Sequence, residues 1–209
     1  MAIAPSVHGL HSSAKELEVL RPVLETWQKL NQDEKWLQAK TLPWWYNERA
    51  TLGLFAGAIW LSQGIVLEEF STRKNAGRTY RGRSDIKFAL GESWFLAEAK
   101  QCWPKFKRQP HIRQKAKELL GQAGQDVTHV NCDCDNRLGI VFITPQIRKA
   151  KISQIDHFVQ ECIKQLLEID GTMIAWTFTQ DAKDLTSPWT DYGEWIFPGV
   201  VIVLKPFKL

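Results

Sequence analysis

The sequence lacks most of the signatures that announce a chemistry. Its four cysteines, Cys102, Cys132, Cys134 and Cys162, include no paired C-x-x-C, and the Cys132–Cys134 step is tighter than a zinc knuckle uses. Free thiols in a reducing compartment are the expectation. The histidines, His8, His11, His111, His129 and His157, are scattered and form no ligand pair. There is no Gly-rich phosphate loop of the Walker type and no serine or cysteine in a nucleophile elbow. No apolar run approaches the ~18 residues of a membrane span. The first ten residues lack a basic segment followed by a long apolar one, so no secretory signal is read and a cytoplasmic chain is expected. Internal repeats and low-complexity segments are also missing.

The composition is that expected of a soluble globular protein. Hydrophobic residues make up 44% and charged residues 24% of 209 residues, enough to bury a core without staples. Ten tryptophans are many for this length, and Trp27, Trp36, Trp44, Trp45 and Trp60 crowd the first third. Most are expected to anchor packing. The net charge of +4 hides an asymmetry. Between Arg73 and Lys117 stand thirteen basic residues against three acids, Asp85, Glu92 and Glu98, while the remainder holds fourteen basic residues and twenty acids. A basic middle on an acidic remainder points to a polyanionic partner, although a solvated basic face has the same charge.

Periodicity predicts helices over 12–40, 45–62, 111–129 and 152–169. Strands are expected over 65–71, 83–90, 94–102, 138–144, 172–179 and 200–205. Pro22 either starts the first helix or kinks it. A turn is expected over 75–82 and a Trp-rich loop over 181–198. The mixture implies an α/β fold, a central mixed β-sheet flanked by helices.

One constellation stands out. In Trp94-Phe95-Leu96-Ala97-Glu98-Ala99-Lys100 the period of two puts Glu98 and Lys100 on one face of a strongly apolar strand. Asp85, on the preceding strand, lies where a hairpin brings it beside Glu98. Adjacent carboxylates repel, so one is protonated or a divalent cation is recruited, and oxygen donors favour magnesium or manganese. Glu48 projects from the inward face near the start of the second helix, with Glu68 and Glu69 as competitors for the same role. Acid-x-Lys triplets also occur at Asp33–Lys35, Asp85–Lys87 and Asp181–Lys183, and Asp170 with Asp181 and Lys183 makes a rival set. The plain alternative is a salt bridge between Glu98 and Lys100 on a half-buried strand, with Asp85 at a turn.

Arg81-Gly82-Arg83-Ser84-Asp85-Ile86, a twelve-residue gap, then Glu98-Ala99-Lys100 resembles the PD-(D/E)XK nuclease superfamily. Its core of helix, three-stranded meander, helix and strand is matched in order and length by 45–144. Ser84 stands where that family has a variable proline, and no glutamine-x-x-x-tyrosine element of its exonuclease branch follows Lys100. The resemblance implies one domain over 1–209: a restriction-endonuclease-like core over 45–144, an N-terminal helical extension over 1–42, and a C-terminal helix and strands over 145–209. It implies a metal-dependent endonuclease hydrolysing DNA phosphodiester bonds, with Mg2+ as cofactor and Mn2+ as substitute. Asp85, Glu98 and the Ala99 carbonyl would hold the metal, Glu48 a second metal or metal-bound water, and Lys100 would orient the attacking water. Arg78, Arg81, Arg83, Lys105, Lys107 and Arg108 would neutralise DNA phosphates. The alternative is a non-catalytic nucleic-acid-binding or assembly module on the same fold. A homodimer, or other protein partners in a DNA-processing complex, is compatible with either, and no membrane partner is expected.

Overall fold

The computed structural model describes residues 8–105, 111–134, 136–179 and 195–208. Its centre is a seven-stranded mixed sheet in the order β1-β7-β9-β5-β4-β3-β2. The strands are β1 (His8–Ser12), β2 (Ile65–Asn75), β3 (Thr79–Leu90), β4 (Ser93–Cys102), β5 (Asn136–Ile143), β7 (Met173–Phe178) and β9 (Gly199–Phe207). A two-stranded ribbon joins β6 (Ile147–Arg148) to β8 (Trp195–Ile196). Neighbours in the main sheet run antiparallel, except that β4 and β5 run parallel through the helix between them.

Helices cover both faces. On one, α1 (Arg21–Asn31) and α3 (Glu48–Leu61) pack Leu24, Trp27, Phe55 and Ile59 against Phe88, Phe95, Phe142 and Ile202. The Phe88 ring stacks on Phe95 at 4.9 Å and meets the edge of Phe55 at 5.8 Å. On the other, α4 (Ile112–Thr128) and α5 (Ile155–Leu167) bury Leu120, Phe158 and Leu166 against Val141, Ile143, Ile174 and Val203. The alternation of Val141 and Phe142 between the two cores is the pleat expected of a strand covered on both sides. The short helix α2 (Glu34–Gln38) is capped by the Asp33 carboxylate and has no fully buried residue.

The N-terminal segment differs from a simple helical extension. Its described part includes a strand, β1, paired to β7 from His8↔Thr177 to Ser12↔Met173. Gln28 of α1 then donates to the Gly9 and Trp176 carbonyls at 2.6 and 3.0 Å, fastening helix to sheet. Five residues reading His-Gly-Leu-His-Ser carry too little apolar alternation to signal a strand. Pro22 sits in the first turn of α1, where its missing N–H costs nothing. The basic hairpin also runs further than expected. β2 and β3 pair out to Asn75↔Thr79, so the expected turn over 75–82 shrinks to the three residues between them. This hairpin forms an arm that rests on the end of α4, where Asn75 N–H donates to the His129 carbonyl and Asn131 N–H to the Arg73 carbonyl.

Candidate active site

Asn47 starts the local geometry by accepting from Ala50 N–H at 3.0 Å, which fixes Glu48 as the first residue of α3. The helix thereby delivers Glu48 to the sheet near the C-terminal end of β4.

The sheet opens at the same place. The β3–β4 ladder runs from Leu90↔Ser93 to Ile86↔Ala97 and stops there. On the other side of β3, pairing with β2 passes from Glu68↔Ile86 to Phe70↔Ser84, skipping Asp85 and Glu69. Glu69 takes a positive φ of 47°, a conformation L-residues adopt only under local constraint. Its carboxylate is held by Arg49 and lies 3.5 Å from Arg83. Freed from the ladder, Asp85 accepts the Ala99 N–H through Oδ2 at 2.7 Å. Among the described residues, β4 beyond Ala97 then keeps a strand partner only on the β5 side, from Glu98↔Gly139 to Cys102↔Ile143.

Glu98 is 3% exposed. Its Oε1 accepts from Lys74 Nζ at 2.8 Å and from the Ser84 hydroxyl at 2.9 Å. Burial raises its pKa; Asp85 adds to the rise, and Lys74 and Ser84 oppose it. Glu48 is pushed up to about 7, first by burial and then by the negative charge of Asp85, with Glu98 adding and Lys100 and the Gln101 N–H opposing. Three carboxylates therefore feel one another around the opening. Burial works to lower the Lys100 pKa, but Asp126, Asp85 and Glu48 together raise it. Lys100 Nζ lies 2.8 Å from Asp126 Oδ2 on α4. Gln101 ties the floor together, accepting from the Thr51 hydroxyl at 3.3 Å and donating to Thr144 at 3.2 Å.

Of the sequence-expected residues, Glu48, Asp85, Glu98, Ala99 and Lys100 meet at this opening. Glu48, rather than Glu68 or Glu69, feels Asp85 and Glu98; the Glu68 carboxyl is raised by burial and by Glu69. Arg78, Arg81 and Arg83 are exposed on the arm. Arg81 and Arg83 line, with Ser71, Thr72, Arg73 and Gly82, a surface hollow of about 560 Å³. Lys105 stands over the Trp195 ring at 5.2 Å and borders a cleft of about 660 Å³ that also includes Gln101, His111, Lys115 and Gln146. Lys107, Arg108, Asp181 and Lys183 lie outside the described residues, as does much of the Trp-rich loop. Asp170 borders a separate pocket with Lys117 and Lys205.

Two participants escape a reading by motif. Lys74 is one basic residue among thirteen in its stretch, and its placement depends on how the arm folds back. Asp126 sits on a helix face with no local pattern to mark it.

Two of the carboxylates are engaged with protein donors, Glu98 with Lys74 and Ser84 and Asp85 with Ala99 N–H. No three Asp, Glu, His or Cys side chains among the described residues are grouped closely enough to hold a metal ion. The chain matches no family model, no curated protein and no solved structure. Among the described residues no helix is long and apolar enough to cross a membrane.

Proposed function

We propose that this chain is a metal-dependent endonuclease of PD-(D/E)XK type that hydrolyses DNA phosphodiester bonds. The observation that carries the reading is the divergence of β3 from β4 at Asp85. It gathers Asp85, Glu98 and Glu48 around Lys100 beside an arginine-rich arm. The order α3-β2-β3-β4-α4-β5, with a meander of three strands and a parallel return, agrees with the core that the sequence resembles.

The donor chemistry fits a hard divalent cation. All three acids offer oxygen, and Glu48 is raised to about 7 first by burial and then by the charge of Asp85. Mg2+, or Mn2+ in its place, would be held by Asp85 and Glu98 with the Ala99 carbonyl, and Glu48 would hold a metal-bound water. Such an ion supplies Lewis acidity to a phosphoryl oxygen and lowers the pKa of water. The chain's own groups do the rest. Lys100, steadied by Asp126, orients the nucleophilic water, and Glu48 takes up a proton near neutral pH. Arg78, Arg81, Arg83 and Lys105 engage backbone phosphates.

Plasmid cleavage in Mg2+, with wild type set against Asp85→Ala and Lys100→Ala, tests this directly. Cleavage by wild type alone supports it; equal outcomes in all three proteins refute it. A second reading, a nucleic-acid-binding module that does not cut, is favoured by the engagement of Glu98 and Asp85 with protein donors and by the lack of a metal-sized group of ligands among the described residues. Tight duplex binding without cleavage in any divalent metal would select it.

A further inference from the structure

The arm has an outer face, opposite the one that carries Lys74, built in register from polar donors. Arg73 stands directly opposite Arg81 and Ser71 opposite Arg83, and all four are exposed. The segment 129–131 lies along the other edge of β2. Lys74 bridges to Val130, and the Asn131 N–H donates to the Arg73 carbonyl at 2.8 Å. That register sets the exposed Asn131 opposite Arg73 and the buried Val130 opposite Lys74. The middle of the outer face therefore reads Arg81, Arg73, Asn131, with Arg73 at the centre and β3 as a rim. From Thr79 to Asp85 that rim has no further strand partner among the described residues. Acids follow at the ends of the face: Asp133, two residues past Asn131, and Glu69, held by Arg49 and 3.5 Å from Arg83. Arg49 follows Glu48 at the start of α3, so the face runs up to the opening.

The inner face holds this surface in place. Phe70 packs on Leu96, Val127 and Val130, and Lys74 Nζ lies 2.8 Å from Glu98 Oε1. Like charges directly opposite cost stability, and among the described residues neither Arg73 nor Arg81 forms an ion pair. A fixed cationic face is preorganised for a polyanion of matching shape. Two strand spacings make it about 10 Å wide, which suits the major groove of B-form DNA, about 12 Å across. Phosphates line the walls of that groove and base edges its floor. Arg81 and Arg83 on the rim meet a wall. Arg73 at the centre meets the floor, where a guanidinium pairs in bidentate fashion with guanine O6 and N7. The deep, narrow major groove of A-form RNA excludes such a face.

We infer that the outer face of the β2–β3 arm enters the major groove of duplex DNA and that Arg73 is a specificity-determining contact to guanine. This rests on the reading of the chain as one that binds DNA, and it is independent of whether the chain cuts.

The test is selection by the full chain from a pool of random-sequence DNA duplexes, without divalent ion so that no strand is cut. Wild type is expected to enrich a sequence with guanine at a fixed position. In the selected duplex, 7-deazaguanine at that position removes the N7 acceptor from the major groove and should weaken binding about tenfold. Inosine there removes the minor-groove amino group alone and should leave binding unchanged. Arg73→Ala should lose its discrimination for that guanine, again about tenfold. A wild type that enriches no sequence overturns the inference, as does a selected duplex indifferent to 7-deazaguanine or weakened by inosine. None of these readouts needs a variant to fold. Guanine discrimination kept by Arg73→Ala overturns it as well. If wild type binds no duplex, the DNA-binding reading has failed and the inference falls with it. If the selected duplex behaves as expected while plasmid stays uncut in Mg2+, the inference is supported and the nuclease reading alone has failed.

Discussion

The two halves of the sheet handle buried cations differently. In β5, the middle strand of the sheet and the inner boundary of its apolar half, Arg137 is 3% exposed. Its guanidinium donates to the carbonyls of Val127, Val130 and Cys132 at 2.6, 2.9 and 2.9 Å, closing the end of α4. In the half formed by β2, β3 and β4, Lys74 meets Glu98 and the surrounding strands separate. Fixed carbonyl dipoles around a permanent charge make a joint with one stable arrangement. Glu98 is met instead by one mobile-stemmed ammonium and one hydroxyl, from Lys74 and Ser84, on the same oxygen. The rest of each half agrees. β5, β7 and β9 are buried on both faces along almost their whole length, whereas the outer parts of β2 and β3 are exposed and charged. The more deeply buried strands belong to the first half and the candidate site to the second.

Substitutions that separate the two halves sharpen this contrast. Asp85→Ala should lower metal-dependent plasmid cleavage by at least about a hundredfold, some 2.7 kcal/mol of transition-state stabilisation, while denaturant unfolding moves by about 1 kcal/mol or less. Phe142→Ala should do the reverse. Its ring is fully buried in the α1–α3 core, so unfolding in urea should register a loss of about 3–5 kcal/mol, with cleavage per folded molecule unchanged. Arg137→Met removes a charged donor from three carbonyls around the end of α4, two of which keep a backbone N–H, and should cost about 3 kcal/mol by the same measurement. A large loss of stability from Asp85→Ala, or none from Phe142→Ala, would break the division.

Glu48 gives a pH signature. Its folded pKa of about 7 lies above the ordinary 4.5, so the folded chain holds this proton more tightly than the unfolded one. The contribution of Glu48 to stability is therefore fully present below about 4.5 and is lost as pH rises through about 7. Melting temperatures of wild type and Glu48→Gln should diverge across that window, the variant gaining relative to wild type, and Mn2+ should shrink the difference. Parallel profiles would show that the fold does not hold Glu48 above its ordinary pKa. The smallest effect is expected on the arm. Arg81→Ala and Arg83→Ala should each reduce the salt dependence of duplex binding by about one unit of slope, measured by fluorescence anisotropy. An unchanged slope would place the nucleic acid elsewhere.

The contrast also explains which parts of the molecule are legible in the sequence. The apolar half reads well because uninterrupted runs such as Ile140-Val141-Phe142-Ile143 suit strands covered on both faces. Asp85, Glu98 and Lys100 read well because period two fixes their faces and a short hairpin fixes their spacing. Trp27, Trp44 and Trp45 are buried anchors as expected, but Trp60 is 56% exposed at the end of α3, where composition alone gave no reason to separate it from the others. β1 is missed because its pairing with β7 joins residues more than 160 positions apart, and nothing local in five mostly polar residues records that partner. Lys74 and Asp126 are missed for a related reason: one depends on the curl of a hairpin, the other on how α4 lies against β4. Glu48 was placed on an inward face by periodicity, yet its preference over Glu68 and Glu69 rests on charge in three dimensions.

The most direct test of the site is a crystal soaked in Mn2+ and measured for anomalous scattering. A peak between the carboxylates of Asp85 and Glu98 is the expected result. No peak there under conditions in which the protein leaves plasmid DNA uncut would contradict it.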